Sequence, residues 1–166
     1  FPQMKESRFI VHPFQLVVSL STTVLSAVLA VTTFLLKGTA VSIIFTLITL
    51  LFLMISLSNG SVISIGPDGI SRSVLGKVIK TLRWDQIVEV GVAGSKVFRQ
   101  VNKKKTGTLY IYFSEKAMTE DERFQMMFNW PPKNKIYLQY KKPRIESIRA
   151  FWKKPVTRYN TGDLEL

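Results

Sequence analysis

One histidine, no cysteine and eleven acids bound the chemistry open to this 166-residue chain. His12 stands alone ahead of a long apolar run, so no nucleophile–His–acid triad, His-based metal cluster or His-based acid–base pair can be built. Glu120, Asp121 and Glu122 are consecutive and open a helical pattern, where acids suit the positive end of the helix dipole. No Gly-rich phosphate loop or other mechanism-bearing motif occurs. The expectation is a chain that is not an enzyme and needs no cofactor and no metal.

What remains is recognition chemistry. Lys103, Lys104 and Lys105 form the densest basic run, with Lys96 and Arg99 just ahead of it. These five are the candidate lipid-surface contact, each base near an anionic leaflet contributing about 1 kcal/mol, weakened by salt. The competing reading is an ordinary solvated turn. Lys141, Lys142, Arg144, Arg149, Lys153 and Lys154 surround the last helical pattern and read as a solvated face. Between these sets lies Phe124-Gln125-Met126-Met127-Phe128-Asn129-Trp130. Phe124, Met127 and Phe128 share one helix face and are expected to cover the core. Met126, Met127 and Trp130 are the candidate partner surface, because Met suits an adaptable contact and Trp favours the headgroup zone. A lid over the core is the competing reading.

The elements that position these residues begin with two uncharged stretches. Pro13 to Leu36 holds no Asp, Glu, Lys, Arg or His, and after Lys37 the chain stays uncharged from Gly38 to Pro67. Within them run two apolar segments, Phe14–Leu36 and Ala40–Ser58, which as helices reach roughly 34 and 28 Å against the ~30 Å of bilayer hydrocarbon. Only Lys37-Gly38-Thr39 separates them, so they must turn straight back as a hairpin. A signal peptide has a shorter apolar core and no second span directly behind it. Two core helices of a soluble protein would carry a polar stripe; here, apart from Gln15, the polar residues are Ser and Thr, which hydrogen-bond back to their own helix. Ser19, Thr22, Thr23, Ser26, Ala27 and Ala30 on the first span, and Ser42, Thr46 and Thr49 on the second, mark faces where backbones can approach closely. The expected contact is each helix with the other, with a second copy or another membrane subunit as the alternative. No ionisable residue lies inside either span, which argues against a proton or ion pathway.

Basic residues near the span ends predict orientation. Lys5 and Arg8 precede the first span, Lys37 sits in the turn, and Arg72, Lys77, Lys80 and Arg83 follow the second. Positive-inside bias puts both termini in the cytoplasm and the turn outside, in a cell (inner or cytoplasmic) membrane. The lack of cysteine fits a reducing compartment. Met4-Lys5-Glu6-Ser7 reads as a plausible start, and whether Phe1-Pro2-Gln3 is native stays open.

Ser61 to Leu166 supplies 106 residues, enough for one small domain. Lys5, Arg8 and Lys37 are the only bases outside it and Glu6 the only acid, so it holds 20 of the 23 bases and 10 of the 11 acids. Such charge suits nucleic acid as well as lipid, but a domain tethered this close to a bilayer meets lipid first, so no nucleic-acid partner is expected. Strands are predicted at residues 61–65, 70–74, 78–82, 88–93, 96–101, 108–113 and 136–140. Thr119 with Glu122 predicts a capping box for a helix ended by Asn129-Trp130-Pro131-Pro132, and a last helix from Pro143 carries Ile145, Ile148 and Trp152 on one side.

Ile65-Gly66-Pro67-Asp68-Gly69-Ile70, Leu82-Arg83-Trp84-Asp85-Gln86-Ile87, Ile136-Tyr137-Leu138-Gln139-Tyr140 and the Arg144–Trp152 segment carry a resemblance. With the preceding hairpin, the chain resembles bacterial membrane proteins that join a two-helix transmembrane hairpin to a pleckstrin-homology (PH) domain. The resemblance implies a seven-stranded bent barrel capped by a C-terminal helix, and a membrane-apposed, non-catalytic role. The first hairpin turn carries Asp68 and no base, so no phosphoinositide pocket is carried over. The expected organisation is a cytoplasmic N-terminal segment (1–13), a transmembrane hairpin (14–58), a PH-like domain (61–155) and an irregular tail (156–166). The expected partners are the bilayer, a protein partner or second copy, and anionic lipid. The functional expectation is binding of such a partner, or self-assembly, at the leaflet, with an accessory subunit of a transport or envelope complex and an anionic-lipid module as alternatives.

Overall fold

The computed structural model describes residues 5–94 and 108–162. Helix α1 (Pro13–Leu35) starts with Pro13 in its first turn, where the missing N–H is no loss, and α2 (Thr39–Asn59) follows after Leu36-Lys37-Gly38. Lys37 takes a left-handed φ of 64°, and the Gly38 N–H donates to the Thr33 carbonyl at 2.8 Å, closing the turn.

The hairpin is arranged inside out. Ser19, Ser26, Ala30, Ser42 and Ser56 are buried, while Val17, Leu25, Leu47 and Met54 are all more than 60% exposed. The seam is built from hydroxyls: Ser42 Oγ donates to the Ala30 carbonyl at 2.9 Å, and Thr49 Oγ1 donates to Ser26 Oγ at 2.9 Å. Thr23 and Thr46 donate to the carbonyls four residues earlier, at 2.8 and 2.9 Å. Small side chains let the backbones close on one another, and every bond that a hydroxyl makes inside the pair is one fewer polar group facing outward. The seam expected within the hairpin is therefore the one found. Both helices are long and apolar enough to cross a membrane.

The chain divides into two compact units. One comprises residues 10–62 with 74–77, and the other takes in the remaining described residues. Among the described residues the β structure forms two four-stranded sheets. The first is ordered β1-β2-β3-β4, from β1 (Ser7–Ile10), β2 (Val62–Ile65), β3 (Gly69–Val74) and β4 (Lys77–Arg83). The second is ordered β7-β6-β5-β8, from β5 (Glu89–Gly94), β6 (Leu109–Ser114), β7 (Ile136–Gln139) and β8 (Thr157–Tyr159). In the second sheet β5 and β6 are antiparallel with Gly91 opposite Tyr112, β6 and β7 are antiparallel with Ile111 opposite Leu138, and β8 lies parallel to β5. Helix α3 (Glu120–Phe128) separates β6 from β7, and α4 (Lys142–Arg149) separates β7 from β8.

The core of the β unit is aliphatic: Ile63, Ile65, Ile70, Leu82, Val90, Val92, Ile111, Ile136, Leu138 and Ile148 are fully or almost fully buried. On α4, Ile145 and Ile148 face inward and Trp152 follows them, as the spacing predicts. Trp84 is half-buried, stacks on Phe151 at 5.7 Å and donates its indole N–H to the Gly66 carbonyl at 2.8 Å.

Three expectations change. Among the described residues the strands form two sheets rather than a single closed barrel. Residues 7–10, expected as part of a plain N-terminal segment, pair with β2 as β1, and residues 157–159 of the expected irregular tail pair with β5 as β8. Strands of three or four residues have too little alternation to stand out, and their pairing comes from neighbours distant in the chain. The strand expected at 96–101 lies outside the described residues.

Candidate functional site

Helix α3 and the strands beneath it gather the described residues that were expected to meet a partner. Its start is the predicted capping box: Thr119 Oγ1 accepts from the Glu122 N–H at 3.2 Å, and Glu122 Oε2 accepts from the Thr119 N–H at 3.0 Å. Lys116 pairs with the same carboxylate at 2.7 Å, and that contact, first among several, holds Glu122 below the usual carboxylate pKa.

The face that α3 buries differs from the expected one. Met126 and Met127 are buried, packed with Met118, Tyr112 and Ala93. Trp130 is half-buried, with its ring 4.5 Å from Tyr110 and 4.8 Å from Tyr137. Phe124 and Phe128, expected to cover the core, are instead exposed, with their rings 6.1 Å apart. Arg123 explains the phase. At about 100° per residue, positions 123, 126, 127 and 130 share one side of the helix, and 124 and 128 lie roughly opposite or beside it. Directing Arg123 inward therefore turns both phenylalanines out.

Arg123 points inward because Glu89 does. Glu89 sits in β5 at 7% exposure, among Ile87, Val90 and Val92, where a bare carboxylate would be costly to bury. Four donors satisfy it. Arg123 binds it with a two-pronged contact, Nε to Oε1 at 2.9 Å and Nη2 to Oε2 at 3.0 Å. The Tyr112 hydroxyl donates to Oε1 at 2.6 Å, and the Met118 N–H donates to Oε2 at 2.9 Å. Burial raises the Glu89 pKa, but Arg123, Met118 and Tyr112 together outweigh it, so the carboxyl lies below its usual value. Glu89 in turn pushes the Arg123 guanidinium pKa up, while burial and then Glu89 push up the Tyr112 phenol. Ionised acid, charged guanidinium and protonated phenol are thus the settled states, and the cluster works as a fastening of α3 onto β5 and β6.

Gly91 makes room for that fastening. A Cβ at Gly91 would lie 2.3 Å from the Tyr112 Cζ and hydroxyl oxygen. This site was not read from the sequence, although a signal existed: an acid in the apolar run Ile87-Val88-Glu89-Val90-Gly91-Val92 needs a buried partner.

Two open depressions lie on the surface of the β unit. One of about 500 Å³ lies beside α3, lined by Met118, Asp121, Gln125 and Asn129 with Pro131 and Lys133. The other, about 1070 Å³, adjoins the turn between β2 and β3, where Asp68 and Glu6 are joined by Lys5 and Arg83. Lys96, Arg99, Lys103, Lys104 and Lys105 lie outside the described residues. Among the described residues, no group of three or more His, Cys, Asp or Glu side chains converges as a metal site would require. No protein-family model matches the chain, and no curated protein or solved structure matches it either.

Proposed function

We propose that this chain is a membrane-anchored, non-catalytic binding protein, whose cytoplasmic PH-like unit docks a protein partner or a second copy while its basic surface lies on an anionic leaflet. The inside-out hairpin carries this reading. Side chains that water would reject face outward along both helices, and the hydroxyls are used within the pair. That use of the seam favours the β unit over the helices as the place where a partner binds. The series of short strands followed by α4, packed through Ile145 and Ile148 with Trp152 beyond it, supports the PH-like assignment, although the short β8 comes after that helix. Glu89, Tyr112 and Arg123, the most chemically active cluster described, are saturated by one another, which suits fastening better than catalysis.

The test is purification of the tagged chain from its own membranes in mild detergent, with its mass and companions determined. The expected result is a stoichiometric protein companion or a defined homo-oligomer that survives replacement of residues 14–58 by an unrelated two-span hairpin. Loss of the assembly on that replacement would favour an accessory subunit acting through its helices. An assembly-free monomer, whose vesicle binding is abolished by changing Lys103, Lys104 and Lys105 to Glu, would favour lipid recognition as the main activity.

A further inference from the structure

The turn between β3 and β4 is built unlike an ordinary surface hairpin. Its two central residues are Leu75 and Gly76, with φ of 49° and 79°. Both positive angles are what a two-residue primed turn demands, and such turns favour Asn or Asp followed by Gly. A branched apolar side chain in the first position is strained there. Leu75 is also 84% exposed, so the strain is not offset by burial within the chain. Val78 and Ile79, just beyond the turn on β4, are 56% and 62% exposed, and Lys77 between them and the turn is exposed too.

Connectivity says which surface this apolar tip meets. β1 ends at Ile10 and reaches α1 through Val11 and His12, while α2 reaches β2 through Gly60 and Ser61. Both helices therefore leave the first sheet from one end, the end of β1 and the beginning of β2. β3 returns beside β2 after the Gly66–Asp68 turn, so it finishes at that same end, where the Leu75-Gly76 turn begins. Residues 74–77 accordingly belong to the same compact unit as residues 10–62.

We propose that Leu75, Val78 and Ile79 form a membrane wedge that enters the headgroup layer of the bilayer holding α1 and α2, with Lys77 meeting anionic headgroups. The proposal rests on the reading that those helices span a membrane. The headgroup layer is roughly 5–7 Å deep on each side and Ile79 lies about 10 Å along the strand from the turn, so all three side chains share the layer only with β4 entering obliquely. An exposed apolar cluster with an adjacent lysine is complementary to an anionic interface, where apolar area and basic charge both add to binding.

The absence of cysteine allows a direct test on the full chain. Single variants Leu75→Cys, Ile79→Cys, Leu25→Cys and Asp85→Cys are labelled with an environment-sensitive fluorophore. They are reconstituted into vesicles of phosphatidylcholine and phosphatidylglycerol at about three to one. Labels at positions 75 and 79 are expected to lose quenching by aqueous iodide and gain quenching by a nitroxide carried near the lipid headgroup. The label at 85 should show the reverse, and the label at 25 should respond only to a nitroxide deep in the acyl chains. Iodide quenching at 75 equal to that at 85, with 25 still quenched from within the bilayer, would overturn the wedge and leave the spans standing. Protection at 75 without lipid quenching would assign the tip to a protein contact and also overturn it. A label at 25 that iodide reaches would remove the spans and the wedge together.

Discussion

Glu89 is held as a carboxylate by two arms of Arg123, a phenol and a backbone N–H, and this makes it the most consequential single side chain described in the β unit. Removing one partner strands the other where water does not reach, so Arg123→Ala should lower stability by about 3 kcal/mol. Glu89→Gln keeps the shape and removes the charge. Because the folded carboxyl is depressed below its ordinary value of 4.5, its contribution is complete above that pH and is lost as the pH falls through the lower, folded value. Denaturant midpoints of the detergent-solubilised chain should therefore decline for the parent only below about pH 4.5 and follow a flatter course there for Glu89→Gln. The pair could not be read from residue types alone, since Arg123 and Glu89 are 34 positions apart and their encounter depends on how α3 rotates.

Between elements, the hydroxyl seam of the hairpin is the feature most open to a mutational test. Ser26 is 4% exposed and meets Thr49 across the pair, so Ser26→Leu forces the backbones apart, whereas Ser42→Ala removes one bond and preserves the spacing. Ser42→Ala should cost about 1 kcal/mol, and Ser26→Leu more, read as loss of helix signal against denaturing detergent. This seam was legible in advance because small residues at fourfold spacing can serve only a close contact. The capping box and the inward face of α4 were legible for similar reasons, each being a local pattern with a local cause. The phase of α3 was not, because Phe124 and Phe128 are the obvious apolar pair and the inward-facing, partly buried Arg123 beside them overrides it. Strands β1 and β8 were hidden by their shortness, and the division into two sheets by pairing that no single segment encodes.

For the whole molecule, charge asymmetry sets the orientation we propose. Of 23 lysines and arginines, only Lys37 lies between the helices, against two before the first and the remainder after the second. A membrane-impermeant maleimide applied to intact cells should label Lys37→Cys and spare Tyr140→Cys until the cells are opened; the opposite pattern would invert the topology. One feature of the fold also bears on how the chain is made. β1 is synthesised first, yet 51 residues, both helices among them, separate its end from the start of β2, the strand beside it in the sheet. The first sheet cannot close until α1 and α2 have left the ribosome, because β2 follows both of them in the chain. Assembly of that sheet is thereby finished only on chains whose hairpin has already emerged.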